Sequence, residues 1–540
     1  MELGGTASMR SSPAGQRSSV GQRVILLIVV LLLSIPILVA AISRAASLRF
    51  AAGDQAIIEM YASDIPSSIP LLGSYSRLGF HHPGPLLHYL LAGPVHLFGA
   101  YGLTLTAAVL AIGSIAGLLV VMFRRGGQPL FILGVGLVII LIRSMGLDVL
   151  SVWNPYVLIL PFALCVALTW SVLCGDRMAL PWLAVVGSFV AQAHLGLAPS
   201  VAFLVAVAAL RVALDSLQRR RTAGESSNAA PGWGRAVLIA CLAGAVLWIP
   251  PVIEQFTHDP GNISQILDSA GSGESHLGLS RALGVLGLLL GRVDPMRLNS
   301  TSDLRILQAV HDGSIWWMAV PLLALGVSVV LARRRRSVPQ LTLSMLLIGL
   351  VGVAAISFAT ITGLPYLYLE RWVVVIGAFV WLTLVWTVLS MCVPDLDRRV
   401  LISGEPSDRR RSSVILVCGG LLLLVVAVVP LDVTPGYTND ANSSTAISSI
   451  IDEARSSVDG CGLIVVEPAS TPLELQISSG LVAQLRRDGF DAVVADAFSF
   501  AHGPQHSLGG RTPDCTLVVT ETGPPIDGGF PPFGLRVTRP

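Results

Sequence analysis

The chain has 540 residues, 53% of them hydrophobic and 13% charged, with a mean hydropathy of +0.73, which excludes an ordinary soluble domain and leaves a membrane protein as the fitting class. All 35 basic residues are Arg, so Schiff-base chemistry and a Walker-type phosphate loop, which both need a Lys amine, are excluded. A formal net charge of +2 provides no bulk basic field for nucleic acid.

Residues 1–23 are rich in Ser, Gly and Arg and are expected to form a disordered cytoplasmic N-terminus. The run Val24–Ser43 is too long for a signal-peptide core and lacks a small-residue cleavage site, so it reads as an uncleaved first span. A helical span needs roughly 20 mostly apolar residues. Further spans are predicted at 101–123, 129–147, 155–173, 180–193, 197–214, 235–253, 314–332, 338–361, 366–392 and 412–430, giving an all-α polytopic domain of about eleven helices over 24–430. The pair 180–193 and 197–214 is short and interrupted by Gln192, His194 and Pro199. It is predicted as a hairpin that does not cross fully.

Arg accumulates in alternate connections: Arg124 and Arg125, Arg177, Arg219–Arg221, Arg333–Arg336, Arg398, Arg399 and Arg409–Arg411. The positive-inside rule then puts the N-terminus in the cytoplasm and the tail after Pro430 outside, with the long loops 44–100 and 254–313. In that tail, 431–540, the runs GLIVVEP near 462, DAVVAD near 491 and CTLVVTE near 515 read as strands, with a helix over Leu473–Arg487. This pattern predicts a small extracytoplasmic α/β domain without a catalytic motif, serving as a structural cap or partner-docking module. Cys461 and Cys515 stand apart in the tail and are expected to form a disulfide in an oxidising compartment.

The first outer loop, 44–100, concentrates Asp54, Glu59, Asp64, Arg77, His81, His82, His88 and His96. Its end, HHPGPLLHYLLAGPVHLFG at 81–99, predicts a Pro-bounded amphipathic helix on the membrane surface. Three other segments carry polar groups beside apolar runs: SMGLDVLSVWNPY with Asp148, GSFVAQAHLGLAP with His194, and GLPYLYLERW with Glu370 and Arg371.

GDQAIIEMY at 53–61, the HHPGPLLHYLLAGPVHLFG segment and a span ending in Arg124 and Arg125 resemble the glycosyltransferase C superfamily. The similarity is to the branch of protein O-mannosyltransferases and bacterial aminoarabinose transferases, and it covers roughly residues 20–215. It implies an enzyme of the plasma (inner) membrane that transfers sugar from a polyprenyl-phosphate donor to a cell-envelope glycan, lipid or protein at a periplasmic loop, inverting the anomeric centre. By the same resemblance Asp54 is the candidate general base and Asp148 the second acidic residue. Glu59 or Asp64 would replace Asp54 if the loop folds differently. Arg77, His81, His82 and Arg371 are candidates for the donor phosphate, and His194 for lining the substrate. Gln55 departs from the family by replacing an acidic residue that often follows the first Asp, so a divalent metal is left open, since an Asp-Glu pair would suit a hard cation better. The rival reading is a flippase, a transporter or a catalytically silent scaffold, which would be marked by ionisable groups near mid-bilayer.

Overall fold

The computed structural model describes residues 20–43, 49–222, 232–270, 276–291, 314–363, 366–392, 440–524 and 530–539. The predicted span 412–430 lies outside them. Among the described residues, seven helices are long and apolar enough to cross a membrane, or eight if the bent pair Gly234–Leu247 and Ile249–Thr257 is one span. The molecule is a polytopic helical membrane protein with a small α/β tail.

Helix α1 (Val20–Ser43) leads into the first loop, which folds as α2 (Gly53–Ser63) and α3 (Leu86–Phe98). The next helix, α4 (Tyr101–Met145), leaves helical geometry at Gly126 and Gly127. Gly127 has a φ of 60°, which glycine adopts without strain, and Phe131 returns edge-on to Phe123 at 6.0 Å. The segment is therefore the two predicted antiparallel spans. The helices Ala179–Ala193 and Ala198–Thr222 also form a hairpin, because a Cβ on Gly187 would meet Val201 at 3.3 Å.

Contacts gather the Arg-rich turns at one end of the bundle. Arg125 pairs with Asp176 at 3.3 Å, the Trp170 indole donates to the Pro339 carbonyl at 2.8 Å, and Cys174 meets Thr342 at 3.6 Å. The first loop and the tail lie together at the other end.

Two expectations are corrected. The predicted span 235–253 is bent by 44°, where Trp248 is followed by Ile249, Pro250 and Pro251; a Pro near the start of a helix lacks the N–H that would continue the preceding one. The segment 254–313, read as a loop, contains helices Asn262–Ala270 and Leu279–Gly291. The latter is too short and too Gly-rich to register as a span, yet it buries Ala282, Val285, Leu286 and Leu290. Gly287 permits this, since a Cβ there would come within 2.7 Å of the Met318 backbone nitrogen.

In the tail, helix Asp440–Ser457 precedes a four-stranded sheet of order β2-β1-β3-β4. Strands β1 (Leu463–Pro468), β2 (Asp491–Val494) and β3 (Cys515–Glu521) are parallel, and β4 (Phe533–Thr538) closes the edge antiparallel to β3. Helix Pro472–Arg487 connects β1 to β2 and begins with a capping box between Thr471 and Glu474. Cys461 and Cys515 are joined by a disulfide. A second core, separate from the membrane core, unites the sheet with Phe50, Ala56, Ile57 and Met60 of the first loop. The tail thus packs on the first loop rather than standing apart from it.

Candidate active site

Helix α2 starts at Gly53, whose φ of +51° suits glycine alone; a Cβ there would also meet Gln476 of the tail helix at 2.9 Å. This start puts Asp54 in the first turn, where the helix dipole favours an anion. Two neutral groups hold the carboxylate. The Tyr75 hydroxyl donates to Oδ1 at 2.7 Å, and the Trp153 indole N–H donates to Oδ2 at 2.8 Å. Burial, then the adjacent Asp54 charge, push the Tyr75 phenol far above its ordinary range, so it remains a donor. Asp54 itself is half-buried, and each carboxylate oxygen has a further lone pair to offer.

Tyr75 is positioned by a tight hairpin in which it bridges His81. The hairpin is closed by Ser76 N–H to Phe80 C=O and His82 N–H to Ser74 C=O, both 2.8 Å. From the start of helix Asn262–Ala270, Asn262 grips the His81 backbone twice, accepting from its N–H and donating to its C=O at 2.9 Å each. Asn262 is in turn fixed by the buried Glu254, which accepts its backbone N–H at 3.0 Å. The His82 ring packs against His194 with centroids 4.8 Å apart, and its Nδ1 accepts the Leu195 N–H at 3.2 Å. Burial pushes both His81 and His82 below the ordinary imidazole range. At neutral pH they are uncharged rings that bring no positive charge. His194 is buried against His82 and caps its own turn by accepting the Gly196 N–H.

An aromatic row runs from Asp54. Trp153 contacts Tyr156 at 5.4 Å and Tyr368 at 5.1 Å, Tyr368 stacks on Tyr366 at 5.7 Å, and the exposed Arg77 guanidinium lies 4.9 Å over Tyr366. Arg77 also donates to the Thr362 carbonyl at 3.1 Å. Such an arrangement places a carboxylate and a guanidinium at opposite ends of a row of flat, partly exposed rings. The row joins the first loop to two segments that look like ordinary interfacial aromatics in the sequence; only the shared hydrogen bond on Asp54 sets Trp153 apart.

The remaining candidates fall elsewhere. Arg371, expected as an interfacial phosphate ligand, is instead only 4% exposed. It pairs with the buried Asp148 at 3.7 Å, donates to the Ser144 carbonyl at 2.6 Å and lies 5.0 Å over the Tyr156 ring. The buried ion pair, with the Arg371 bond to the Ser144 carbonyl, makes Asp148 and Arg371 a brace between the 144–156 and 366–372 segments. Glu59 is buried and ion-paired with Arg487 of the tail. Asp64 meets His506 at 2.7 Å and Arg486 at 3.6 Å; burial raises its acid range, but His506 and Arg486 outweigh this and hold it below the ordinary value. Both carboxylates thus serve the junction between the first loop and the tail.

No group of three or more His, Cys, Asp or Glu is gathered among the described residues. Both Asp54 oxygens take neutral donors, whereas a hard divalent cation needs several oxygen ligands. The residues around Asp54 do not fit such a site, and the chemistry below uses none.

No family model and no curated protein matches the chain. Among solved structures it is similar to the crystal structure of ArnT from Cupriavidus metallidurans bound to undecaprenyl phosphate, at 14% identity, with 93% of each chain covered and a TM-score of 0.46. At that identity and superposition the likeness carries no functional conclusion.

Proposed function

We propose that the chain is a membrane glycosyltransferase that moves a sugar from a polyprenyl-phosphate donor to a hydroxyl of a cell-envelope acceptor on the outer face, with inversion. The observation that carries this reading is the half-buried Asp54 carboxylate, fixed by Tyr75 and Trp153 at one end of an aromatic row that ends under Arg77. Asp54 takes the acceptor proton as the acceptor oxygen attacks the anomeric carbon. The bond from that carbon to the phosphate oxygen breaks in the same displacement, and its electron pair leaves with the polyprenyl phosphate. Arg77 offers charge to the leaving phosphate. The aromatic faces suit the C–H faces of a sugar ring between these ends.

The rival, translocation, requires ionisable groups within the spans. The interhelical network that links helices Ala319–Arg335, Val338–Ala359 and Val373–Cys392 is neutral instead: Gln340 donates to Thr387 at 2.6 Å, and Ser328 meets Ser344 at 2.8 Å. The acidic residues Asp54, Glu59 and Asp64 stand in the first loop, which favours chemistry at one surface. Purified protein incubated with a panel of polyprenyl-phosphate sugars should release polyprenyl phosphate. Movement of a lipid-linked sugar across vesicles without cleavage of any donor would replace this reading with the rival.

A further inference from the structure

The tail domain reaches the site through one side chain. Phe500 lies in the short helix Ser499–His502, between β2 and β3. Its ring is 4.8 Å from the His81 ring and meets the Tyr75 ring edge-on at 6.5 Å. Tyr75 is the residue that holds Asp54 Oδ1. Among the described residues of the tail, Phe500 is the one large hydrophobic side chain that remains exposed, at 42%. Every other large apolar group among the described residues of that domain is at least partly covered, so the exposed ring stands at the rim beside the candidate base.

The segment bearing Phe500 is held from both sides. Asp496 accepts the backbone N–H groups of Gly509 and Gly510 at 2.6 and 3.1 Å, which fixes the start of the segment. His502 meets the Ser479 hydroxyl at 3.0 Å on the tail helix. His506 pairs with Asp64, which caps the end of α2, at 2.7 Å and sets its ring against Tyr61 at 5.7 Å. Gly503, with a φ of +86°, makes the turn between these anchors, and a Cβ there would approach the Tyr61 hydroxyl at 2.6 Å. A surface loop tied at three points to two domains is rigid enough to select a ligand.

We infer that Phe500 is a specificity-determining residue for the acceptor, and that the acceptor it selects presents a sugar ring. This deepens the proposed transferase reading and rests on it. A base must lie within hydrogen-bond reach of the hydroxyl it deprotonates, so the acceptor occupies the space beside Asp54, and Tyr75, His81 and Phe500 form that flank. A flat aromatic face next to a neutral imidazole suits a ring with an apolar C–H face and hydroxyl edges. It offers a charged or straight-chain acceptor no matching contact. The tail then serves as the acceptor wall of the site as well as a cap.

The test uses the full-length protein with a polyprenyl-phosphate sugar that the wild type cleaves, and methyl pyranosides, butanol or water alone as acceptors. Wild type should favour a methyl pyranoside over butanol by about tenfold in kcat/KM, the scale of one aromatic contact. In Phe500→Ala that preference should fall toward one through a raised pyranoside KM, while donor KM and donor hydrolysis by water stay unchanged; Phe500→Trp should retain it. A purely structural role would lower donor hydrolysis and pyranoside transfer together. An unchanged pyranoside KM in Phe500→Ala, or equal use of butanol by wild type, overturns the inference while leaving the transferase reading in place. Absence of donor cleavage by wild type removes both.

Discussion

The indole N–H of Trp153 donates to Oδ2 of Asp54 at 2.8 Å, joining the first loop to the turn that follows the third predicted span. Together with Tyr75 it orients the carboxylate without neutralising it. Asp54→Asn should therefore reduce turnover by about a hundredfold or more with membrane insertion and donor binding retained. Trp153→Phe keeps an aromatic face, though a smaller one, and removes the donor, and a loss of roughly tenfold to a hundredfold is expected, the scale of a hydrogen bond to a charged group. Steady-state transfer kinetics of both, beside Glu59→Gln and Asp64→Asn, decide the assignment; wild-type turnover in Asp54→Asn would transfer the role of base to another residue.

Arg371 and Asp148 form a buried pair, and removal of one partner takes that compensation from the other charge. Arg371→Leu should cost about 3–5 kcal/mol, read as a lowered unfolding temperature in detergent. The double variant Asp148→Leu with Arg371→Leu should recover most of that loss. If the double variant is as unstable as the sum of the single ones, the two side chains act independently and are not a brace.

Acid should loosen the first loop as pH falls below the ordinary imidazole range. Burial pushes His88 down to about 4 and His82 well below the ordinary imidazole value, so both are neutral in the folded loop. A His with a depressed folded value contributes stability that is complete above its unfolded value, near 6.5, and is lost as pH falls from there toward the folded value. For His88 this amounts to ~3 kcal/mol between about pH 6.5 and 4. His88→Gln should flatten part of the slope in a pH series of thermal unfolding. A slope that is unchanged in that variant would assign the acid sensitivity elsewhere.

The packing of the tail on α2 requires both to occupy one compartment, and the Arg-rich turns gather at the opposite end. Reporter fusions after Arg221 and Arg336 should report cytoplasm, and one after Pro540 should report the outside. Cys461 and Cys515 should then resist thiol labelling until a reductant is added, since the disulfide forms in an oxidising compartment. A cytoplasmic signal from the last fusion would rule out the assigned orientation.

The sequence by itself determined what depends on local pattern. Apolar runs of span length placed the membrane helices because a helix must satisfy its backbone within the bilayer. Short β-branched runs placed β1, β2 and β3, whereas Asp54 was singled out as the candidate base by the resemblance of GDQAIIEMY to a transferase family. The tertiary structure decided which distant groups meet. Glu59 and Asp54 look equivalent on one loop helix, yet packing commits Glu59 to Arg487 and gives Asp54 two neutral donors. Arg371 read as an interfacial cation because its short segment says nothing of Asp148, which pairs with it only after the intervening helices have packed. Helix Leu279–Gly291 was hidden for a related reason: a short helix buried by its neighbours lacks the length that identifies a span. Phe500 carries no local signal at all, since one exposed aromatic on a polar domain is commonplace until the fold brings it to Tyr75 and His81.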